Sequence, residues 1–157
     1  MMPFFEWLNE LPLSTMIRES IWISPVVNVL HLLALVVFAG SVLIVDLRLL
    51  GRRASGQPVS QVARDAQPWL IVGFLGLLVT GIPQLISNAM REYFSAFFWF
   101  KMEVMLVALI FTFTLRRKVT LADEARIGPF VPKLTGLVSI LLWACVAIPA
   151  RLIGLFT

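Results

Sequence analysis

Charge is scarce in this chain. Of its 157 residues only 14% are Asp, Glu, Lys or Arg, and 59% are hydrophobic, whereas a soluble domain carries about 25% charged residues. A surface mainly in contact with water is excluded, and with it a soluble domain. Cysteine is scarcer still. Cys145 stands alone within an apolar run, so neither an internal disulfide nor a cysteine metal cluster can form. Histidine occurs once, as His31. There is no Gly-rich phosphate loop, no nucleophile elbow, no HExxH and no pair of catalytic carboxylates, so spacing supports no intrinsic catalytic constellation. The start lacks the basic region and small-residue cleavage site of a signal peptide, and its first charges are Glu6 and Glu10. Internal repeats and low-complexity segments are absent.

What the chain does have is long apolar runs. About twenty such residues cross the hydrocarbon of a bilayer, and runs at about 25–50, 68–89, 97–116 and 134–156 qualify. The expected fold is an all-α integral membrane protein, a four-transmembrane-helix bundle over residues 23–157. An N-terminal interfacial segment, residues 1–22, precedes it. There Phe4, Phe5, Leu8 and Leu11 share a helical face opposite Glu6, Asn9 and Glu10. Pro12 breaks the pattern, and Ser14 is placed to cap a second short turn. With Trp7 and Trp22, this segment is expected to lie in the membrane interface.

In helix 1, Pro25 suits the first turn and Gly51 the C-terminal end. Arg52 to Gln67 reads as a loop, with helix 2 opening at Pro68-Trp69. Gly73, Gly76 and Gly81 provide small surfaces for close helix approach, and Pro83 is expected to kink the helix. Met90 to Ala96 reads as a short link, Val119 to Lys133 as a second long loop, and Pro149 as an interruption of helix 4. The net charge of +4 is a topology signal rather than a nucleic-acid one. Nine of the thirteen Lys and Arg residues flank the loops after helices 1 and 3: Arg48, Arg52, Arg53, Arg64, Arg116, Arg117, Lys118, Arg126 and Lys133. The positive-inside rule then puts those loops in the cytoplasm and both termini in the periplasm of a bacterial inner membrane.

This orientation sorts the polar residues by depth. His31 lies about 9 Å below the outer end of helix 1, with Asn28 nearly a turn above it. Gln84, Asn88, Lys101, Glu103 and Arg151 fall in the outer parts of the other helices, so a polar pocket in the periplasmic half is expected. His31 is open to three readings. It is neutral interhelical glue bonded to Gln84 or a carbonyl, a ligand to haem or a metal, or a group that handles protons or a polar substrate. For b-type haem, imidazole is a standard axial ligand, Gly40 makes room, and Lys101 and Arg151 would hold propionates. The second axial ligand would be Met102, Met105 or His31 of a second subunit. A zinc or copper site lacks a recognisable ligand set. Asp46 and Arg48, at i and i+2, point apart and should pair with other helices or the loop. Asp123-Glu124 reads as a solvated face.

These residues also carry a family likeness. His31, Gly40-Ser41, the run Asp46-Leu47-Arg48-Leu49-Leu50-Gly51, Pro68-Trp69, Phe98 to Lys101, and Trp143 with Ala150-Arg151-Leu152-Ile153-Gly154 resemble a group of small, uncharacterised four-helix bacterial inner-membrane proteins, a domain of unknown function. The likeness runs from about Ser20 onward. Members often end helix 3 with a histidine, where this chain has Thr112-Phe113-Thr114-Leu115-Arg116-Arg117-Lys118, so a two-histidine site lacks its second ligand. The His31-Leu32-Leu33-Ala34 start is also loosely similar to copper-resistance and cytochrome b561-like membrane domains. The expected function is a small membrane subunit of a redox or periplasmic-facing assembly, with b-type haem on His31. The alternatives are a structural anchor without cofactor and a conduit for protons or a small polar solute. The expected partners are the lipid bilayer, a second copy, or other membrane or periplasmic subunits.

Overall fold

The computed structural model describes residues 1–51, 56–122 and 124–156, without the side chains of 124, 125 and 151–156. Among these residues all the regular structure is helical. Two short helices, α1 (Met2–Glu10) and α2 (Pro12–Glu19), precede α3 (Ile23–Leu49) and α4 (Val59–Ser87). A single turn, α5 (Ala89–Tyr93), leads into α6 (Ala96–Phe111). A π-helical turn at Thr112–Arg116 joins α6 to α7 (Arg117–Leu121), and α8 (Glu124–Ile127) and α9 (Phe130–Phe156) complete the chain. Four helical stretches are long and apolar enough to cross a membrane: Ile23–Leu49, Val59–Ser87, Ala96–Leu121 and Phe130–Ala150. Their outward side chains include Leu33, Val36, Val72, Val79, Leu106 and Ile148, all exposed. That is the surface lipid contact requires.

Several boundaries differ from those read in the sequence. Helix α4 starts nine residues before Pro68 and carries Pro68 and Pro83 inside it. Val59, Val62, Ala63 and Ala66 recur at helical spacing across the segment read as loop. They continue the apolar face, so the cost of Pro68's missing N–H does not end the helix. The Met90–Ala96 link contains a helical turn, and α9 begins at Phe130 and runs through Pro149. Leu11 is extended (φ −60°, ψ 137°), the conformation imposed on a residue before proline, and this separates α1 from α2. Ser14 does not cap α2. Its hydroxyl donates instead to the Ile86 carbonyl at 3.1 Å. Gly51 ends helix α3 at φ 84°, as its sequence position implied. Arg52, Arg53 and Asp123 lie outside the described residues, as does the side chain of Glu124.

Helix α3 lies against α4 and α9, and α9 packs in turn against α6. The α3–α4 approach is set by two glycines. A Cβ at Gly73 would sit 2.6 Å from the Phe38 backbone nitrogen, and one at Gly76 2.9 Å from the Ala34 Cβ. Below this contact Phe38, Val42 and Leu70 form a buried layer with Phe74, Leu77, Phe113 and Trp143. The Phe38 and Trp143 rings meet edge to face, 4.7 Å between centroids.

At the loop-bearing end, polar groups close the bundle. Asp46 is fully buried. Its Oδ1 accepts from Arg116 Nε at 2.6 Å and its Oδ2 from the Ser139 hydroxyl at 2.6 Å. Arg116 also donates to the Val42 carbonyl at 2.9 Å, and the π turn that carries it places Thr112 to accept from Trp143 Nε1 at 3.1 Å. Asp46 thus pairs with other helices and Arg48 with the loop carbonyl of Gln57, as the i, i+2 spacing required.

Two predictions follow from packing. Removing one member of a buried ion pair strands the other, so Asp46→Leu should destabilise the purified protein by about 3–5 kcal/mol. Adding Arg116→Leu should recover part of that loss, read as thermal unfolding in detergent. Gly73→Ala must push α3 and α4 apart, whereas a Cβ at Gly40 meets nothing within 4 Å. The melting temperature should fall for Gly73→Ala and hold or rise for Gly40→Ala, since alanine is favoured over glycine inside helices by roughly 0.5–1 kcal/mol.

Candidate functional site

At the opposite end the helices do not close on one another. A cavity of about 560 Å³ opens there between α2, α3, α4, α5 and α6. Gly81 sits beside His31: a Cβ there would stand 3.4 Å from the imidazole Cε1. Small residues on α4 thus let the imidazole lie between the two helices.

The ring is held by a relay. Its Nδ1 is 2.8 Å from the Thr80 hydroxyl oxygen, and that hydroxyl donates its only proton to the Gly76 carbonyl at 2.6 Å. Thr80 can therefore only accept from the ring, which places a proton on Nδ1 of His31. In the neutral ring Nε2 is then a lone-pair acceptor, and no described residue hydrogen-bonds to it. The partner is Thr80, neither Gln84 nor the backbone carbonyl that the interhelical-glue reading named. Thr80 lies one helical turn before Gln84 on the same face of α4, the only signal that would have pointed to it.

The structure gathers most of the residues singled out in the sequence. Asn28, His31, Gln84, Asn88 and Lys101 all line the cavity. Glu103 is exposed and lies outside the lining. The side chain of Arg151 falls outside the described residues. Neither Met102 nor Met105 reaches the cavity wall. Gly40 opens onto no neighbour, and Cys145 is exposed. No cluster of three or more metal-binding side chains occurs among the described residues.

Arg91 and Glu92 also line the cavity and were missed, because a stretch read as a plain link hid the turn of α5 that turns them inward. Gln84 uses its backbone carbonyl as a hub, accepting from the Ser87 hydroxyl at 3.0 Å and from Asn88 Nδ2 at 3.3 Å. Its own side-chain Nε2 is buried with no hydrogen-bond partner among the described residues. Ile17 of α2 adds an apolar wall, and the Ser14 hydroxyl ties α2 to the Ile86 carbonyl of α4.

Burial pushes the Glu92 carboxyl above its ordinary value of 4.5, against the pull of Lys101 and Arg91. A carboxyl raised by folding adds stability below its unfolded value and loses that contribution as pH rises through the folded one. The melting temperature of the wild type should therefore fall relative to Glu92→Gln as pH climbs from below 4.5 through the raised value. Parallel curves for the two proteins would contradict it.

A model of a family of unknown function, DUF6644, matches residues 4–156. No curated protein and no solved structure matches the chain, and the likeness to copper-resistance and cytochrome b561-like domains gains no support from them.

Proposed function

The chain belongs to DUF6644, a family of unknown function, and we propose that it is a small bacterial inner-membrane subunit whose cavity binds a small polar molecule from the periplasmic side. One observation carries the reading. His31 has its Nδ1 proton committed to Thr80 and keeps Nε2 without a hydrogen-bond partner among the described residues, at a cavity wall shared with Asn28, Gln84, Asn88 and Lys101. Polar groups in a membrane-spanning segment are costly unless they face water, a partner or a ligand. Five polar side chains converging on one opening are more than interhelical glue requires.

The positive-inside rule supports the orientation. Arg64, Arg117, Lys118, Arg126 and Lys133 lie in or beside the loops at the end remote from the cavity. That end faces the cytoplasm, both termini face the periplasm, and Trp7 and Trp22, both exposed, hold α1 and α2 in the interface. Passage through the bundle is disfavoured. Beneath the cavity the Phe38, Phe74, Phe113 and Trp143 layer and the Asp46–Arg116 pair leave no polar path, so the geometry favours binding over conduction.

A b-type haem on His31, the expectation raised by the sequence, meets a mixed site. Nε2 is the ligating atom in the correct tautomer, and Lys101 is a match for a propionate. The faces of a porphyrin are apolar, however, and beside Ile17, Val27, Leu85 and Phe98 the wall carries Asn28, Gln84, Asn88, Arg91 and Glu92. No methionine or second imidazole lines the cavity among the described residues. The lining does not fit the group.

Two measurements test the proposal together. In a Cys145→Ala background, Asn88→Cys should react with a membrane-impermeant maleimide added outside spheroplasts. Protein purified with haem available should show no Soret band. Loss of the labelling, or a Soret band that disappears in His31→Ala, would overturn the reading.

A further inference from the structure

We infer that α1 and α2 form a lid over a side entrance to the cavity, the gap between α4 and α6, with the Ser14 hydroxyl as its latch on the Ile86 carbonyl; this rests on the polar-cavity reading above. Among the described residues α4 and α6 make no extended contact with each other, and at the far end it is α7 that meets α4. Helix α1 bridges the space they leave. The Phe5 ring lies 6.4 Å from that of Phe98 and 6.0 Å from that of Trp99, centroid to centroid, both on α6. Leu85 and Ile86 of α4 pack against the same cluster. Leu85 and Phe98 also line the cavity, so the strap and the polar site meet on opposite sides of these two residues. Ile17 of α2 reaches the cavity itself.

The lid is lightly attached where a hinge requires it. Ser20 is extended (φ −78°, ψ 120°), and Ile21 and Trp22 after it are exposed, so the link to α3 is unpacked. The Ser20 hydroxyl accepts from the Ile23 N–H at 3.2 Å and so serves the start of α3 without help from α2. The lid's outer face carries Phe4, Trp7, Leu13 and Met16, all exposed, which suits the lipid interface. In that setting the apolar contacts beneath the lid add little closing force, because acyl chains are as apolar as the cluster they would replace. The hydrogen bond is different. Ile86 lies in the last turn of α4, where carbonyls lack helical partners, and Ser14 is fully buried as it donates to it at 3.1 Å. Lifting the lid takes that donor away, so the latch holds the entrance shut. The lid therefore controls access from the outer leaflet, while the mouth beside the exposed Asn28 and Asn88 faces the periplasm.

The test uses the full-length protein in lipid nanodiscs, in a Cys145→Ala background, with N-ethylmaleimide as the probe. Leu8→Cys puts a thiol on the buried face of the lid, outside the cavity lining. Val42→Cys puts one in the buried layer of the bundle. The labelling rate at each reports how often that part of the structure opens. Leu8→Cys should react about tenfold faster than Val42→Cys, because lid opening is local. Adding Ser14→Ala should speed Leu8→Cys by about fivefold, the shift expected from one lost hydrogen bond, and leave Val42→Cys unchanged. Equal rates at the two sites, acceleration of both together, or a Leu8→Cys rate indifferent to Ser14→Ala would overturn the lid. Should Ser14→Ala not fold, spin labels at Thr15→Cys and Leu137→Cys, both exposed positions, test the same motion with Ser14 intact. Pulsed EPR should then show two distances, and a single one would overturn the proposal. Maleimide labelling of Asn88→Cys from outside spheroplasts separates the two levels. If it persists where the lid fails, the cavity stands without a side entrance, and its loss removes the cavity reading as well.

Discussion

The buried pair of Asp46 and Arg116 fixes the arrangement of the bundle. A carboxylate with no exposed surface needs its charge met and its lone pairs occupied. Arg116 and Ser139 do both, from helices α6–α7 and α9. Two long-range bonds of helix α3 therefore meet at the Asp46 side chain. Gly136 permits this closeness, since a Cβ there would lie 2.9 Å from the Asp46 carbonyl. The π turn fits the same requirement. By adding a residue to one turn it keeps Thr112 and Arg116 both inward, one for Trp143 and the other for Asp46.

With one end of the bundle locked by charge and its middle filled by the Phe38 layer, the freedom left to the fold lies at the other end. There α4 gives way to a single turn, α5, and the chain re-enters as α6 without packing directly against α3. The gap is the cavity. Its polarity is tolerable because it is open, and its shape persists because Gly73 and Gly76 hold α3 and α4 in contact beneath it. Closure at one end and access at the other are two results of the same packing.

Much of this was legible in the chain. The spans follow from apolar length, and the grouping of Asn28, His31, Gln84, Asn88 and Lys101 follows from counting depth along three of the helices. The glycine contacts were legible too, because small residues in an apolar helix have few other uses. What the sequence hid is instructive. Thr80 looked like one more tolerated hydroxyl, yet it decides which ring nitrogen of His31 is free. Arg116 read as one of three basic residues marking a membrane edge, and nothing local told it apart from Arg117, which is exposed. Its role depends on a turn geometry and on Asp46, seventy residues earlier in the chain. Arg91 and Glu92 were hidden because five residues of helix are too short to leave a periodic signature.

The wall formed by α2 has a consequence for how the protein is made. Phe5 and Leu8 bury themselves against Ala89 and Phe98, and Ser14 bonds to the Ile86 carbonyl. Residues 2–19 leave the ribosome well before those surfaces exist. They must wait, with their aromatic face unburied, until the chain has been synthesised past Phe98 and its second hairpin has begun to insert. The cavity's walls, built from residues 17–101, are thus complete only once α6 is in place, while the lock between Asp46 and Ser139 at the other end waits for α9.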